Sequence, residues 1–238
     1  MERLGSGDEL MRERYDRHIR LAEIGWEGQS KLKQASVLLI GVGGLGSPIA
    51  LYLAAAGVGH IGLVDDDRVS LSNLQRQVLY TESEVGELKV ECARRRLLQA
   101  NSQMKVTAWP VRLTATNAPD IFAGYDLVID GCDNFETRYV IDHYSKKLQI
   151  PYVYGSIGEF QGQVAVFNHA GSYSYADLFP EPQITPAVAK GVMGVVPGVV
   201  GTLQAAEAIK LITGAGNVLT NQLLTIHLLT MEIRVLSF

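Results

Sequence analysis

The chain has 238 residues, of which 47% are hydrophobic and 19% charged, so it is long enough to bury a sizeable core. Its 21 basic and 25 acidic residues leave a net charge of −4 with no basic block, which argues against nucleic acid as the main partner. Cysteine occurs only as Cys92 and Cys132, which excludes a disulfide framework and an all-cysteine zinc site and favours a cytoplasmic protein.

One uncharged stretch, from Val37 to Val64, is long enough to cross a bilayer. It is interrupted by seven glycines and by Pro48, and it ends on three consecutive aspartates. A buried strand–turn–helix–strand has the same composition, because central parallel strands are apolar on both faces. Residues 1–20 are charge-rich and lack the apolar core of a secretory signal. We therefore expect no membrane partner.

The elements predicted along the chain alternate between strands and helices. A charged, amphipathic segment at 2–34 predicts helix, and the apolar run 35–40 predicts a strand that ends at Gly41. A glycine-rich turn follows, then a helix through Ala56 that Gly57 ends, then a strand from His60 to Val64. This order is a βαβ unit.

The second half continues the alternation and then changes character. The segment 162–168 alternates like a half-exposed strand, which indicates antiparallel additions to a parallel sheet. We predict an α/β fold with a Rossmann-like, doubly wound, mostly parallel sheet that antiparallel strands extend in the C-terminal half. One domain spanning 1–238 is expected, with a crossover loop at 172–190. Further helices are predicted at 89–100, 134–149 and 198–212, and further strands at 105–109, 125–130, 151–154, 223–229 and 231–237.

The turn Gly41-Val42-Gly43-Gly44-Leu45-Gly46 matches a nucleotide-binding pattern in the correct context between strand and helix. Glycines let the backbone approach a phosphate, and the helix that follows offers amide donors and the positive end of its dipole. Asp65 lies 19 residues beyond Gly46, where an acidic residue can accept both ribose hydroxyls. These features predict an adenosine ligand and leave open whether it is a dinucleotide or ATP.

The segments that follow favour ATP. Arg76, in the polar string Ser70–Gln77, and Lys89 supply cations that a triphosphate requires and a dinucleotide does not. Asp130 and Asp133 then follow a strand at the edge where open α/β sheets bind ligands, and their oxygens suit magnesium. Asp133-Asn134 is also a favourable helix N-cap, and both roles can coexist.

Taken together, these motifs resemble the ThiF/MoeB/HesA family, bacterial relatives of ubiquitin-activating enzymes. The resemblance runs from about Arg14 to the C-terminus. It rests on segments 14–18, 41–46, 65, 70–77, 86–90, 130–134, 155–164, 191–194 and 203–210.

The resemblance implies that the chain uses ATP to adenylate the C-terminal glycine of a small ubiquitin-like sulfur carrier of the ThiS or MoaD type. It assigns Arg17 to the neighbouring subunit's site, and so implies a homodimer. It also implies that Gly44 contacts phosphate, that Asp65 binds the ribose, and that Asp133 holds magnesium. The phosphate contacts would come from Asn73, Arg76 and Lys89. The other residues expected at the cofactor site are Gly41, Gly43, Gly46, Gln77 and Asn134.

Two departures from the family concern cysteines. Most relatives bind a structural zinc through two Cys-x-x-Cys pairs, whereas Ser174 and Asp177 occupy the place of the first pair here. The sequence ends at Phe238 without the second pair, which truncation would also explain, and we predict no zinc. The loop cysteine that relatives often use for a covalent link is replaced near Ala187. Because acidic neighbours raise the pKa of the Cys132 thiol, we expect no thioester or acyl disulfide.

Three alternatives stay open. The chain could adenylate a modified tRNA base or a peptide, it could be a catalytically silent nucleotide-binding scaffold, or it could be a nicotinamide-dependent reductase. The missing basic patch disfavours tRNA, the retained cations disfavour a scaffold, and the Ser70–Gln77 string disfavours the reductase.

Overall fold

Eight strands form one sheet in the structure, a computed structural model that describes residues 6–180 and 191–238. They are β1 (Ser36–Ile40), β2 (His60–Val64), β3 (Lys105–Trp109), β4 (Leu127–Asp130), β5 (Tyr152–Ile157), β6 (Gln161–Phe167), β7 (Gln222–His227) and β8 (Glu232–Ser237). The order across the sheet is β3-β2-β1-β4-β5-β6-β7-β8. Strands β1 to β5 pair in parallel, and β6, β7 and β8 add on antiparallel. The predicted fold class is confirmed.

Helices cover both faces of this sheet. Those in the described residues are α1 (Ser6–Ile19), α2 (Gly25–Gln34), α3 (Gly46–Ala56), α4 (Lys89–Ala100), α5 (Ala118–Phe122), α6 (Phe135–Leu148), α7 (Tyr175–Leu178) and α8 (Val195–Thr213). Short 3₁₀ turns occur at Leu71–Asn73 and Glu82–Glu84. The predicted N-terminal helical segment therefore contains two helices, separated by residues 20–24.

The uncharged stretch that could have crossed a bilayer is the β1–α3–β2 unit. Four of the five residues in each strand are buried, as central strands require. Helix α3 ends where Gly57 adopts φ +88°, a left-handed conformation that glycine reaches without steric cost. The strand–turn–helix–strand interpretation is confirmed.

Two hydrophobic layers hold the sheet between the helices. One layer joins α3, α4 and α8 to the sheet, and the other is rich in aromatic side chains and includes residues of α5, α6 and α7. Helix α8 is long and apolar enough to cross a membrane, but core helices share these properties. Its residues Val200, Ala205 and Ala208 are buried in the first layer.

Helix α8 packs closely against the start of α3 at Gly201. A β-carbon on Gly201 would lie 2.5 Å from the Leu45 carbonyl oxygen and 2.7 Å from Pro48 Cγ, whereas one on Gly198 would meet no atom of the described residues within 4 Å. We expect Gly201→Ala to lower the free energy of unfolding by about 1–3 kcal/mol. The control Gly198→Ala should leave it unchanged or raise it by up to about 1 kcal/mol. Urea unfolding of both variants checks this, and equal stabilities would contradict the close helix contact.

Several element boundaries differ from those predicted. Helix α8 begins at Val195 rather than at residue 198, because Pro197 lies in the first turn, where its missing N–H costs nothing. The expected crossover loop contains the one-turn helix α7, and α5 was not predicted. The remainder of that loop, residues 181–190 with Ala187, lies outside the described residues.

Candidate active site

The glycine-rich turn after β1 is shaped by close backbone contacts. Gly41 has φ +88° and donates its N–H to the Val64 carbonyl at 2.8 Å. A β-carbon on Gly41 would lie 2.6 Å from the Gly131 carbonyl oxygen, and one on Gly46 would collide with the Gly41 carbonyl oxygen. These positions therefore require glycine, and the turn leads directly into the N-terminus of α3, where free N–H groups favour an anion.

Asp65, at the end of β2, is linked to this turn by hydrogen bonds. Its Oδ2 accepts the Val42 N–H at 2.8 Å and its Oδ1 accepts the Asp67 N–H at 2.8 Å. Burial raises the pKa of the Asp65 carboxyl, and this effect exceeds the opposing influence of Lys89 and of the two N–H groups. Asp65 thus lies beside the glycine-rich turn, as expected of a ribose ligand.

The polar string after β2 packs against the same glycines. A β-carbon on Gly43 would lie 3.3 Å from Gln77 Nε2, and one on Gly44 would lie 3.6 Å from Arg76 Cγ. Gln77 is 5% exposed, and its Oε1 is buried without a hydrogen-bond partner in the described structure. Two features fit a bound nucleotide here. The buried Gln77 Oε1 needs a hydrogen-bond donor, and the space beside Gly43 and Gly44 would be filled by any side chain at these positions. Asn73 contributes through its carbonyl, which accepts the N–H groups of Arg76 and Gln77.

Lys89 is buried and forms an ion pair that the sequence analysis did not predict. Its Nζ lies 2.8 Å from Asp67 Oδ2, and its backbone N–H donates to the Asp67 carbonyl at 3.0 Å. The Lys89 side chain is 4% exposed, whereas that of Asp67 is 68% exposed. A buried ammonium needs an anionic partner, and the Asp67 carboxylate supplies one.

Asp130 corrects the expectation that two carboxylates after β4 are available to magnesium. Its Oδ2 lies 2.9 Å from Arg138 Nε and 3.1 Å from the Tyr152 hydroxyl. Its Oδ1 accepts the Cys132 N–H and Sγ–H, each at 2.8 Å. Asp130 is fully buried, so both of its oxygens are occupied by the protein.

Asp133 differs from Asp130 in each of these respects. It is exposed, and its Oδ1 has one weak contact, with Asn134 Nδ2 at 3.4 Å. Asn134 caps α6, because its Oδ1 accepts the Thr137 N–H at 2.9 Å. The predicted cap is therefore present, and the Asp133 oxygens are of the hard donor type that magnesium prefers. Of the two carboxylates, Asp133 is the one that fits a metal.

Arg17 lies far from this site in its own chain. Tyr15, two residues earlier, packs against Gly57 at the C-terminal end of α3, and its hydroxyl accepts from Asn101 at 3.0 Å. The glycine-rich turn is at the other end of α3, about 16 Å away along a helix of 11 residues. Arg17 is exposed and makes no hydrogen bond or ion pair within the described residues. The structure does not bring Arg17 together with the other predicted site residues.

The residues in the place of the first zinc cysteine pair form a hydrogen-bonded cap. Ser174 Oγ and N–H donate to Asp177 Oδ2 at 2.7 and 2.8 Å, and the Asp177 N–H returns a bond to Ser174 Oγ. These bonds lower the pKa of Asp177.

Within the described residues, the one cluster of His, Cys, Asp or Glu with metal-ligand spacing is Asp65–Asp66–Asp67.

Burial and then the Asp130 carboxylate raise the pKa of the Cys132 thiol, in the direction expected. Asp67, Gly131 and Arg138 are site-forming residues that the sequence analysis missed. For Asp67 the signal was present, since it is the last of the three aspartates after β2, but only the first was assigned.

The fold and this site together define a Rossmann-like nucleotide-binding α/β protein. The model of the ThiF family matches residues 15–238, and the chain belongs to this family. It is 47% identical over 234 residues to the sulfur carrier protein adenylyltransferase of Thermus thermophilus, covering 94% of this chain and 86% of that protein. It is 44% identical over 227 residues to the probable molybdopterin-synthase adenylyltransferase of Porphyra purpurea, covering 92% and 59%.

Solved structures show the same fold. Escherichia coli MccB, solved with ATP, superposes with a TM-score of 0.81 at 25% identity over 94% of this chain and 70% of that one. Several relatives are longer than this chain, which spans 47% to 59% of those whose names combine an adenylyltransferase with a sulfurtransferase.

Proposed function

We propose that this protein uses ATP to adenylate the C-terminal glycine carboxylate of a small ubiquitin-like sulfur carrier, with release of diphosphate. The observation that carries this proposal is the meeting of the glycine-rich turn, Arg76, Gln77 and the Asp133-bearing turn at one edge of the sheet. The names of the relatives support the class of reaction. The activated carrier would then serve the biosynthesis of thiamin, of molybdopterin or of another product of sulfur transfer.

The proposed reaction needs positioning and charge neutralisation rather than a general base. A C-terminal carboxyl has a pKa of about 3.5, so the attacking group is already ionised at neutral pH. One carboxylate oxygen attacks the α-phosphorus, and the bond to the diphosphate breaks. Arg76, Lys89 and the N-terminus of α3 would hold the phosphates and neutralise the departing charge.

Magnesium fits this proposal at Asp133. When bound with the nucleotide, it would neutralise charge on the phosphates. Two features support this role: Asp133 is exposed, and among the described residues it makes one weak contact, whereas both oxygens of Asp130 accept hydrogen bonds from the protein. The proposal includes neither a zinc site nor a covalent link through a thiol, and the free thiols of Cys92 and Cys132 are consistent with a cytoplasmic location.

A homodimer is also part of the proposal. Arg17 is at the end of the molecule remote from its own glycine-rich turn, so a role for it in the reaction requires a second copy of the chain. Exposed apolar side chains lie on the adjoining helices and on the segment between α1 and α2, and they offer a surface for that copy; among them are Leu21 at 48%, Trp26 at 41% and Tyr52 at 55% exposure.

A second apolar surface, on the outermost hairpin, fits the carrier. We call Leu229, Met231, Ile233 and Val235 the edge patch; each is 51% to 69% exposed. Natural proteins rarely leave an apolar edge strand uncovered. The hairpin between β7 and β8 lies at the same edge of the sheet as the site, because β7 runs in the same direction as β4.

The distance from the edge patch to the site suits a carrier with an extended tail. Strand β8 is four strands from β4, or about 19 Å across the sheet. An extended tail of about six residues spans that distance. A small molecule would need no such surface, so the edge patch favours a protein substrate.

Replacing Met231 with glutamate tests this surface. Met231→Glu should raise the KM for the carrier about tenfold or more, because a charge is placed where apolar contact is expected, and leave the KM for ATP unchanged. Leu148→Glu is the matched control, since Leu148 is 44% exposed at the far end of α6, whose other end adjoins the site. Pyrophosphate exchange at varied carrier concentration measures both. Equal KM values for the carrier, or loss of the dimer in Met231→Glu alone, would contradict carrier docking here.

Pyrophosphate exchange into ATP tests the reaction itself. The wild-type chain should catalyse exchange only when a carrier with a Gly-Gly terminus is added, and one of the candidate carriers should support it best. Exchange without a carrier would indicate a different adenylated substrate, and nicotinamide binding would indicate a reductase.

A further inference from the structure

Arg138 is a buried cation that connects three separate parts of the fold. Its Nε lies 2.9 Å from Asp130 Oδ2, and its Nη2 donates to the carbonyls of Cys132 at 3.1 Å and of Gly155 at 3.3 Å. The guanidinium also lies 5.4 Å from the centre of the Tyr154 ring. Arg138 therefore joins α6 to the ends of β4 and β5.

Arg138 and Asp130 form a buried salt bridge. The Arg138 side chain is 6% exposed and that of Asp130 is fully buried. Burial opposes the charge on Arg138, but the Asp130 carboxylate, together with Cys132, Tyr154 and Tyr152, outweighs this effect and raises the pKa of the guanidinium. A guanidinium bonded to both a carboxylate and backbone carbonyls has little freedom to move.

These contacts surround Asp133, the residue proposed to hold the metal. Cys132, whose carbonyl Arg138 binds, immediately precedes Asp133, and Asn134, which caps α6, immediately follows it. The backbone is thus fixed on both sides of Asp133, while the Asp133 side chain is exposed with one weak contact. Arg138 is itself too deeply buried to reach a nucleotide.

We propose that Arg138 is a positioning residue that fixes the Asp133 carboxylate for binding of the magnesium–nucleotide complex. It acts through the Cys132 carbonyl and the Asp130 carboxylate and touches neither metal nor substrate. The inference rests on the proposed function, since it needs Asp133 to contact the metal. Residues that orient metal ligands typically change metal affinity by about 10–100-fold when they are replaced.

The variant Arg138→Lys distinguishes positioning of Asp133 from a general contribution of Arg138 to the stability of the fold. Lysine keeps the positive charge beside Asp130, but a single ammonium cannot reproduce the fork that reaches the Cys132 and Gly155 carbonyls. Tyr152→Phe is the matched control, because Tyr152 is also buried and its hydroxyl is the other donor to Asp130 Oδ2. The substitution removes that donor and leaves every contact of Arg138 in place. Phe135→Leu is a milder variant, since the Phe135 ring lies 5.7 Å from the guanidinium and is 40% exposed.

The affinity of the protein for the Mn²⁺–ATP complex, measured without any carrier by the electron paramagnetic resonance signal of free against bound Mn²⁺–ATP, is the deciding quantity. We expect Arg138→Lys to weaken it tenfold or more, Phe135→Leu two- to fivefold, and Tyr152→Phe less than twofold, with unfolding followed in the same samples. Equal weakening in Arg138→Lys and Tyr152→Phe, or none in either, would overturn the inference. If Arg138→Lys does not fold, an unchanged affinity in Phe135→Leu overturns it. Carrier-dependent exchange by the wild type tests the proposed function separately.

Discussion

Asp133→Ala is expected to lower carrier-dependent pyrophosphate exchange by about 10²–10³-fold or more, because it removes the carboxylate that we propose holds the magnesium that would neutralise charge on the reacting phosphates. The Asp133 side chain is exposed, and its one weak contact is with its neighbour Asn134. The free energy of unfolding should therefore change by less than about 0.5 kcal/mol. Exchange rates and urea unfolding of the same preparation measure the two effects.

Asp120→Ala is the matched control for this variant. Asp120 is likewise an exposed aspartate near the N-terminus of a helix, in this case within the first turn of α5, and it has no contact with the glycine-rich turn in the described structure. Its exchange rate should equal that of the wild type. Near-normal exchange in Asp133→Ala, at a magnesium concentration below saturation, would refute the assignment of Asp133.

Arg76→Ala should abolish exchange to a similar degree for a different reason. Arg76 lies against Gly44, and its described hydrogen bond, from Nη1 to the Ser72 carbonyl, is long at 3.3 Å. Its guanidinium is therefore free to bind phosphate, and its loss leaves the charge of the departing diphosphate poorly neutralised. We expect exchange to fall by about 10²–10³-fold.

The control for Arg76→Ala is Arg94→Ala on α4, whose guanidinium pairs with Glu91 on the helix surface. Both variants should unfold at nearly the wild-type urea concentration, since each loses an interaction at the surface. If Arg76→Ala kept more than a tenth of the wild-type exchange, phosphate neutralisation would have to come from elsewhere in the site.

Local signals account for the parts of the fold that the sequence predicted well. The glycines after β1 and the left-handed Gly57 after α3 define the βαβ unit within a few residues. The bounds of β2, β3 and α4 were predicted to the residue. Their boundaries depend on backbone conformation and short-range periodicity, both of which can be seen in one stretch of sequence.

Contacts between distant segments account for what was missed. Asp130 was expected to be available to a metal, and it is not, because Arg138 and Tyr152 approach it from α6 and β5. The phosphate contact of Lys89 stays a prediction, but its ion pair with Asp67 was not predicted, because it depends on how β2 and α4 pack. No pattern within either segment reveals such pairs.

Ser174 and Asp177 form hydrogen bonds at a place where the family resemblance predicts cysteines. These two residues stand where the family resemblance places zinc ligands, and they cap α7 by hydrogen bonds. Asp142 on α6 also holds α7, since its carboxylate accepts hydrogen bonds from the N–H groups of Tyr175 and Ala176 at 2.8 and 3.2 Å. Hydrogen bonds thus fasten this segment to α6.

We propose that the chain activates a carrier by forming an acyl-adenylate and nothing further. Intact-mass spectrometry of a carrier incubated with the protein, ATP and magnesium tests it most directly. We predict a carrier whose mass has increased by one adenylyl group, with both proteins otherwise unmodified under non-reducing conditions. A carrier that gains no mass in the presence of active protein, or a covalent adduct between the two proteins, would contradict the account.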